Sequence, residues 1–143
     1  MTTLKHSSYA SIATALSTEL NSLANNSLTA ASSAIDNTSA LELFADLELV
    51  VAAQGSARSA GAVVDVYIVP SVDGTNYADL EATCSEPIAT FALDAATTAR
   101  RLAARDIPIP PGLFKLAVRN RTGQSFASSG STLKYRTHSV QQA

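Results

Sequence analysis

The chain has 143 residues, of which 46% are apolar, and this length is typical of one domain. Its single cysteine, Cys84, excludes an internal disulfide and a multi-cysteine metal site, and no apolar run reaches the roughly 18 residues of a membrane span. A net charge of −2 alone favours no class of partner. We interpret Cys84 as a free structural thiol, and we expect a soluble protein that is made in a cytoplasm.

The N-terminal segment Met1–Asn26 differs in character from the rest of the chain. Its apolar residues recur at helical spacing behind Ser8 or Ser11, either of which can cap a helix. We therefore predict a short helix, preceded by an arm that only a partner orders, and a β domain over residues 27–143. The helix either caps the core of this domain or docks on a neighbouring subunit. The candidate interface residues of the segment are Tyr9, Ile12, Leu16, Leu20 and Leu23.

From Ser27 onward the pattern is that of β-strands. Leu28–Ile35 is a strand candidate made of small residues. In Leu41–Val51 apolar side chains alternate with acidic ones, which is the period of a strand with one buried face. Phe44 lies on the acidic side of that strand. It is either a scattered surface residue or an interface residue covered by the N-terminal helix or by a second subunit.

The middle of the chain predicts two more strands around a long turn. Ala62–Val69 is rich in β-branched residues, which is typical of a strand with both faces covered. Ser71–Asp79 holds the strongest turn signals, and Pro87–Leu93 follows as the next strand.

The C-terminal third predicts further strands, separated by a proline-rich turn at 108–112 and a Gly/Ser loop at 122–130. These strands are Thr98–Ile107, Leu113–Asn120 and Ser131–Val140. Alternation places His138 on the polar side of the last strand. Seven or eight short strands with no helix between them favour an antiparallel β-sandwich, specifically a jelly roll. An immunoglobulin-like strand order is the alternative.

Charge is distributed unevenly along the chain. Residues 1–94 hold eleven of the twelve acidic residues, whereas residues 95–143 hold eight of the ten basic ones. Pairing of acidic and basic strands explains this split best, and head-to-tail contact between copies or nucleic-acid binding are the alternatives. The predicted cross-strand pairs join Glu42, Asp46 and Glu48 to Lys115 and Arg119, or to Lys134 and Arg136.

The sequence contains few residues suited to catalysis. The only histidines, His6 and His138, lie in the predicted arm and on the last strand, and no nucleophile or phosphate-binding motif accompanies them. We expect no catalytic residue, no cofactor and no metal ion. Asp73, Asn76 and Asp79 offer oxygens to Ca²⁺, but a turn stabilised by its own side chains explains them more simply.

Tyr77, beside this turn, is a candidate for stacking on a sugar. Carbohydrate-binding sandwiches usually present several aromatic residues, and this chain has four Tyr, four Phe and no Trp. The candidate residues for binding through this loop are Asp73, Asn76 and Tyr77.

Three phrases resemble small virion structural proteins of tailed bacteriophages: the strand and turn Val69–Tyr77, the Pro110-Pro111-Gly112 turn and the phrase Arg119-Asn120-Arg121-Thr122-Gly123. The resemblance runs over roughly Ser27–Val140. It implies a β-sandwich decoration, or cement, protein on the major capsid shell, often a trimer with an extended N-terminal segment.

We therefore expect a non-enzymatic capsid decoration protein, made in the host cytoplasm and incorporated into the virion. The expected partners are the major capsid protein or another virion protein and further copies of the chain, with a trimer favoured. We expect no binding to nucleic acid or membrane. The alternatives are a tail, neck or fibre-attachment component and a carbohydrate- or receptor-binding sandwich.

Overall fold

The computed structural model describes residues 3–83 and 85–143, so the prediction for Cys84 lies outside the described residues. In this part of the chain ten strands and one 3-10 helix form. The helix spans Thr18–Leu20, and the strands are β1 Leu4–His6, β2 Ala13–Leu16, β3 Ile35–Asp36, β4 Phe44–Val51, β5 Val63–Pro70, β6 Pro87–Ala92, β7 Arg100–Pro108, β8 Leu113–Arg121, β9 Thr132–His138 and β10 Val140–Gln142. No helix in the described ranges has the length and apolar character needed to cross a membrane.

The strands form two four-stranded antiparallel sheets and a small two-stranded one. The front sheet has the order β2-β9-β4-β7, the back sheet has the order β3-β8-β5-β6, and β1 pairs with β10. The first strand therefore pairs with the last, the second with the second-last, and so on inward to the β5–β6 pair. This nested pairing is the winding of a jelly roll. It confirms the predicted β-sandwich and its jelly-roll order, and the immunoglobulin-like alternative is wrong.

The core lies between the two sheets and follows the period-two pattern of the sequence. Leu47, Leu49 and Val51 of β4 are buried, as the alternation in Leu41–Val51 predicted. The back sheet faces them with apolar side chains from β5, β6 and β8. Those fully buried on β5 and β8 are Val64, Val66, Phe114, Leu116 and Val118.

The predicted N-terminal helix is wrong. Ala13–Leu16 is a strand paired with β9, and the only helical turn between residues 12 and 23 is the short one at Thr18–Leu20. A helix of this length is marginal alone, whereas the edge of β9 offers unpaired backbone groups to an extended segment. Leu16, Leu20 and Leu23 are buried in the common core all the same.

Residues 28–34 also differ from the predicted strand. Leu28 forms an isolated bridge with β8, and in this segment only the two residues of β3 pair with β8 as a strand. Between them, the backbone N–H groups of β8 donate to side-chain oxygens: Val118 donates to Thr29 Oγ1 at 3.0 Å, and Leu116 donates to Ser32 Oγ at 3.0 Å. Hydroxyl groups thus replace part of the strand ladder, which explains why small polar residues occupy this edge.

The pairing of oppositely charged strands is confirmed, and it lies in the front sheet. Asp46 and Glu48 of β4 stand opposite Arg136 and Lys134 of β9. Arg136 Nη2 lies 3.3 Å from Asp46 Oδ2. The alternative partners Lys115 and Arg119 are wrong, because β8 belongs to the back sheet. Acidic and basic strands therefore offset each other's charge within the front sheet, and Arg121 pairs with Asp65 at 3.0 Å in the back sheet.

The strand registers divide the connecting loops between two ends of the sandwich. Loops 52–62, 93–99 and 122–131 meet at one end, which we call the arginine end after Arg58. Loops 37–43 and 109–112, the β5–β6 connection and the β1–β10 pair meet at the other, which we call the histidine end after His138.

The arginine end is held by a buried guanidinium group. Arg58 is 2% exposed and donates four hydrogen bonds, to the Asp94 and Thr98 carbonyl oxygens, to Gln54 Oε1 and to Asp94 Oδ1. The donor–acceptor distances range from 2.7 to 3.0 Å. Since all of these partners lie in loops, Arg58 fastens loop 52–62 to loop 93–99.

Candidate interaction surface

The histidine end carries most of the large apolar side chains that the described residues expose. They are Leu4, Leu41, Leu43, Val72 and Val140, with exposed fractions from 41% to 101%. The two others, Tyr9 and Ile12, lie on the N-terminal segment, which crosses the outer face of the front sheet. Exposed apolar side chains gathered in one region are typical of a surface that contacts another protein.

Buried hydrogen bonds hold the apolar loops of this end. Asn37 is 2% exposed, and its Nδ2 donates to the carbonyl oxygens of Glu42 and Pro110 at 2.8 Å. Its Oδ1 accepts from the backbone N–H of Glu42 at 2.8 Å. Leu41, which adopts a φ of +50°, therefore stands on a loop whose base is fixed. This turn also explains why β4 begins at Phe44 and not at Leu41 as predicted.

The predicted binding loop is stabilised by Asp73. Asp73 Oδ1 accepts from the backbone N–H groups of Thr75 and Asn76 at 2.8 and 2.7 Å, and Oδ2 accepts from Asn76 Nδ2 at 2.8 Å. The hydrogen bonds from the Asn76 backbone, the Asn76 side chain and the Thr75 backbone hold the pKa of Asp73 well below its usual range. This network favours the turn over the calcium interpretation of the same residues.

Tyr77 is half-buried beside this loop. Lys115 Nζ lies 4.2 Å from the centroid of its ring, in a cation–π contact. One face of the ring is therefore occupied, and a sugar would have to displace Lys115 or use the opposite face.

The outer face of the front sheet forms a groove of about 640 Å³. Tyr9 lies in it, and the centroid of its ring is 3.6 Å from the Arg136 guanidinium carbon. The Tyr9 hydroxyl accepts a hydrogen bond from Arg105 Nη2 at 2.7 Å. Ile12 lines the same groove with acidic and basic side chains of the sheet. Among those charged side chains are Asp46, Glu48 and Lys134.

His138 lies beside Tyr9 and has no exposed surface. The rings of His6, Tyr9 and Phe44 surround it, with centroid distances of 5.7, 5.0 and 5.6 Å. Phe44 is half-buried: its ring stacks on His138, and no helix lies over it in the described part of the chain. The sequence placed His138 on the correct side of β9, and it missed the burial because the N-terminal segment crosses that side.

Two carboxylates also approach the His138 ring. Nε2 lies 3.1 Å from Asp106 Oδ1 and 3.4 Å from Asp46 Oδ1. Neither ring nitrogen has a hydrogen bond of acceptable geometry to a described residue, in spite of these short distances. Asp106 reaches this position from a bulge in β7 opposite Asp46, where its φ is +56°. Non-glycine residues with positive φ are uncommon, and bulges of this kind re-aim side chains.

The candidate interface residues of the sequence divide into two groups. Tyr9, Ile12 and Phe44 lie around the groove and His138. Leu16, Leu20 and Leu23 belong to the core and are at most 9% exposed, which leaves little surface on them for a partner. The loop candidates Asp73, Asn76 and Tyr77 lie together at the histidine end.

The structural neighbours described below are distant from this chain in sequence. No protein-family model and no curated protein matches the chain. One structural neighbour is a chain of Bacillus endospore appendages described as disulfide-linked pili, at 12% identity and a TM-score of 0.37, over 97% of this chain and 90% of that one. A chain from infectious bursal disease virus has 16% identity and a TM-score of 0.34, over 97% of this chain and 32% of that one.

A carbohydrate-binding module of the β-sandwich superfamily is a further neighbour, at 10% identity and a TM-score of 0.33, over 98% of this chain and 56% of that one. At these identities and scores the likenesses carry no argument about function. The function is therefore argued from the chain's own surface.

Proposed function

We propose that this chain is a non-enzymatic structural protein of a tailed-bacteriophage virion, which decorates the capsid by binding the major capsid protein through its histidine end. The observation that carries the proposal is the concentration of exposed apolar side chains there, on Leu41, Leu43 and Val72 among others. The chain is made in the host cytoplasm and stabilises the assembled shell because it binds the assembled form preferentially.

Preformed loops support a docking role for this end. Asn37 fixes the loop of Leu41 and Leu43, and Asp73 fixes the turn next to Val72. Loops already held in one conformation lose little conformational entropy on binding, which leaves more of the burial free energy for affinity. The phrase Val69–Tyr77, which resembles phage virion proteins, forms part of this end.

The groove on the front sheet supports contact between copies of the chain, in a trimer. It combines the exposed Ile12 with Glu48, Lys134 and Arg105, so that the same face offers apolar surface and both signs of charge to a second copy. Light scattering of the purified chain should give the mass of a trimer, and Ile12→Asp should lower it to that of a monomer. If the purified parent chain is a monomer by light scattering and nevertheless decorates shells, this part of the proposal is overturned.

The docking proposal is tested by sedimentation with purified heads of the phage that encodes the chain. The parent protein should sediment with the heads, and the double variant Leu41→Asp/Val72→Asp should lose binding by about tenfold or more, because two apolar contacts become buried charges. The control Ser128→Asp/Ser129→Asp adds the same two charges at exposed positions of the arginine end, and it should bind as the parent does.

Three outcomes of this experiment would contradict the proposal: no binding to heads, equal binding by the double variant, and sedimentation with isolated tails instead of heads. The last result would identify a tail or neck component. Circular dichroism of each variant establishes that the fold is retained before binding is compared.

A further inference from the structure

We propose that His6, Asp106 and His138 bind one divalent transition-metal ion of the Zn²⁺ class, which fastens the N-terminal segment to the front sheet. Ligand atoms of these three residues all lie within 4.8 Å of one another. His138 is fully buried, and both of its ring nitrogens lack a hydrogen-bond partner among the described residues. A buried imidazole in this condition is costly unless something else binds it.

The distances fit a tetrahedral ion after a small closure. Bonds of about 2.0–2.2 Å from the metal to nitrogen and oxygen place neighbouring ligand atoms of a tetrahedral site about 3.3–3.6 Å apart. His138 Nε2 already lies 3.1 Å from Asp106 Oδ1. Water is the expected fourth ligand, because Asp46 Oδ1, although 3.4 Å from the same nitrogen, already accepts a hydrogen bond from the Asp106 backbone N–H at 3.1 Å.

The donor set selects the class of metal. Two imidazoles with one or two carboxylates suit Zn²⁺ and its transition-metal neighbours, whereas Ca²⁺ and Mg²⁺ prefer oxygen ligands alone. The carboxylates of Asp106 and Asp46 also offset the charge of the ion in a site that buries His138.

The fold brings the three ligands together from distant parts of the sequence. His6 stands opposite Val140 in the β1–β10 pair, next to the hydrogen bond from the Ser7 N–H to the Ser139 carbonyl oxygen at 2.8 Å. Asp106 is aimed by the β7 bulge, and His138 ends β9. The ion would therefore link β1, β7 and β9.

A competing account needs no metal. It treats His138 as the cation of an ion pair with the Asp46 and Asp106 carboxylates. The two accounts differ in His6. It takes no part in that ion pair, but it is one of three ligands in the metal site. His6 and Asp106 are both exposed, so substitution at either position spares the core.

The experiment uses the untagged full-length chain, stripped with a chelator and titrated with Zn²⁺ by calorimetry. We expect one ion per chain with micromolar or tighter affinity, and a rise in melting temperature of about 5–10 °C at a Zn²⁺ concentration near one hundred times Kd. His6→Ala and Asp106→Asn should each weaken binding about tenfold or more. Asp79→Asn, an exposed carboxylate elsewhere, and Cys84→Ser, which removes the only thiol, should bind as the parent does.

Nuclear magnetic resonance gives a direct reading of the ligands, since the chain has only two histidines. The resonances of both imidazole rings should shift on addition of Zn²⁺. Absence of binding, parental affinity in His6→Ala, or loss of binding in Cys84→Ser would each overturn the proposal. None of these results bears on capsid docking, which the sedimentation experiment tests separately.

Discussion

The two ends of the jelly roll satisfy their buried polar groups to different degrees. At the arginine end, Arg58 is fully engaged by loop oxygens, and no large apolar side chain among the described residues is exposed. At the histidine end, His138 is equally buried but its nitrogens lack partners, and apolar side chains such as Leu41 and Val72 face solvent. The first end thus binds its buried cation with its own loops, whereas the second holds the groups on which the proposed ion site and the proposed docking surface rest.

The largest expected effect comes from breaking the arginine end. Arg58→Ala removes four hydrogen bonds and leaves Oε1 of Gln54, which is 5% exposed, without its donor. We expect the free energy of unfolding to fall by about 3–4 kcal/mol, and the melting temperature by roughly 10 °C. Chemical and thermal denaturation measure both.

Arg101→Ala is the matched control for this substitution. The Arg101 side chain is 72% exposed, and its ion pair with Glu48 lies at the surface. Loss of this ion pair should lower the free energy of unfolding by less than about 0.5 kcal/mol. Equal losses in the two variants would show that Arg58 is not the structural centre of its end.

A smaller effect is expected from the polar support of the histidine end. Asn37→Ala removes the hydrogen bonds to the Glu42 backbone and the Pro110 carbonyl oxygen, at a cost of about 2–3 kcal/mol. Hydrogen exchange should become faster in loop 37–43 and remain unchanged at the arginine end. Asn25→Ala removes one exposed contact to Gly123 at the opposite end, and it should cost less than about 1 kcal/mol. If Asn37→Ala makes hydrogen exchange faster at both ends of the sandwich, the division into two separate ends is contradicted.

The smallest expected effect is a dependence of folding stability on pH, which arises from Asp94 at the arginine end. Hydrogen bonds from Arg100 and then Arg58 lower the pKa of Asp94 from 3.8 to about 2. Because the folded pKa is the lower one, Asp94 stabilises the fold above about pH 4, and this contribution is lost as the pH falls toward 2. Asp94→Asn should therefore be less stable than the parent at pH 7, and the difference should shrink by pH 2. A difference independent of pH would rule out this role for the carboxylate.

The period-two pattern of the sequence predicted much of the fold. Alternation identified the buried face of β4, and the number of short strands favoured the jelly roll. The turn predicted at 108–112 ends β7, although Pro108 itself is the last residue of that strand. These features depend on local backbone geometry and on which face is apolar, and both can be read from neighbouring residues.

The features that the sequence did not reveal depend on contacts between distant segments. Ile12, Leu16 and Leu20 recur at the spacing of a helix, yet pairing with β9 makes residues 13–16 a strand. His138 alternates correctly with its polar neighbours, but its burial requires residues more than one hundred positions away. The sequence does not indicate that Arg58 is buried, because no residue near it in the chain shows that loop 93–99 covers it.

The most direct test of the account is a cryo-electron microscopy map of phage heads incubated with the purified chain. We predict jelly-roll density on the outside of the shell, with the loops of Leu41, Leu43 and Val72 against the capsid protein and Arg58 at the far end. Density with the arginine end against the shell, or heads without added density at saturating protein, would contradict the central claim.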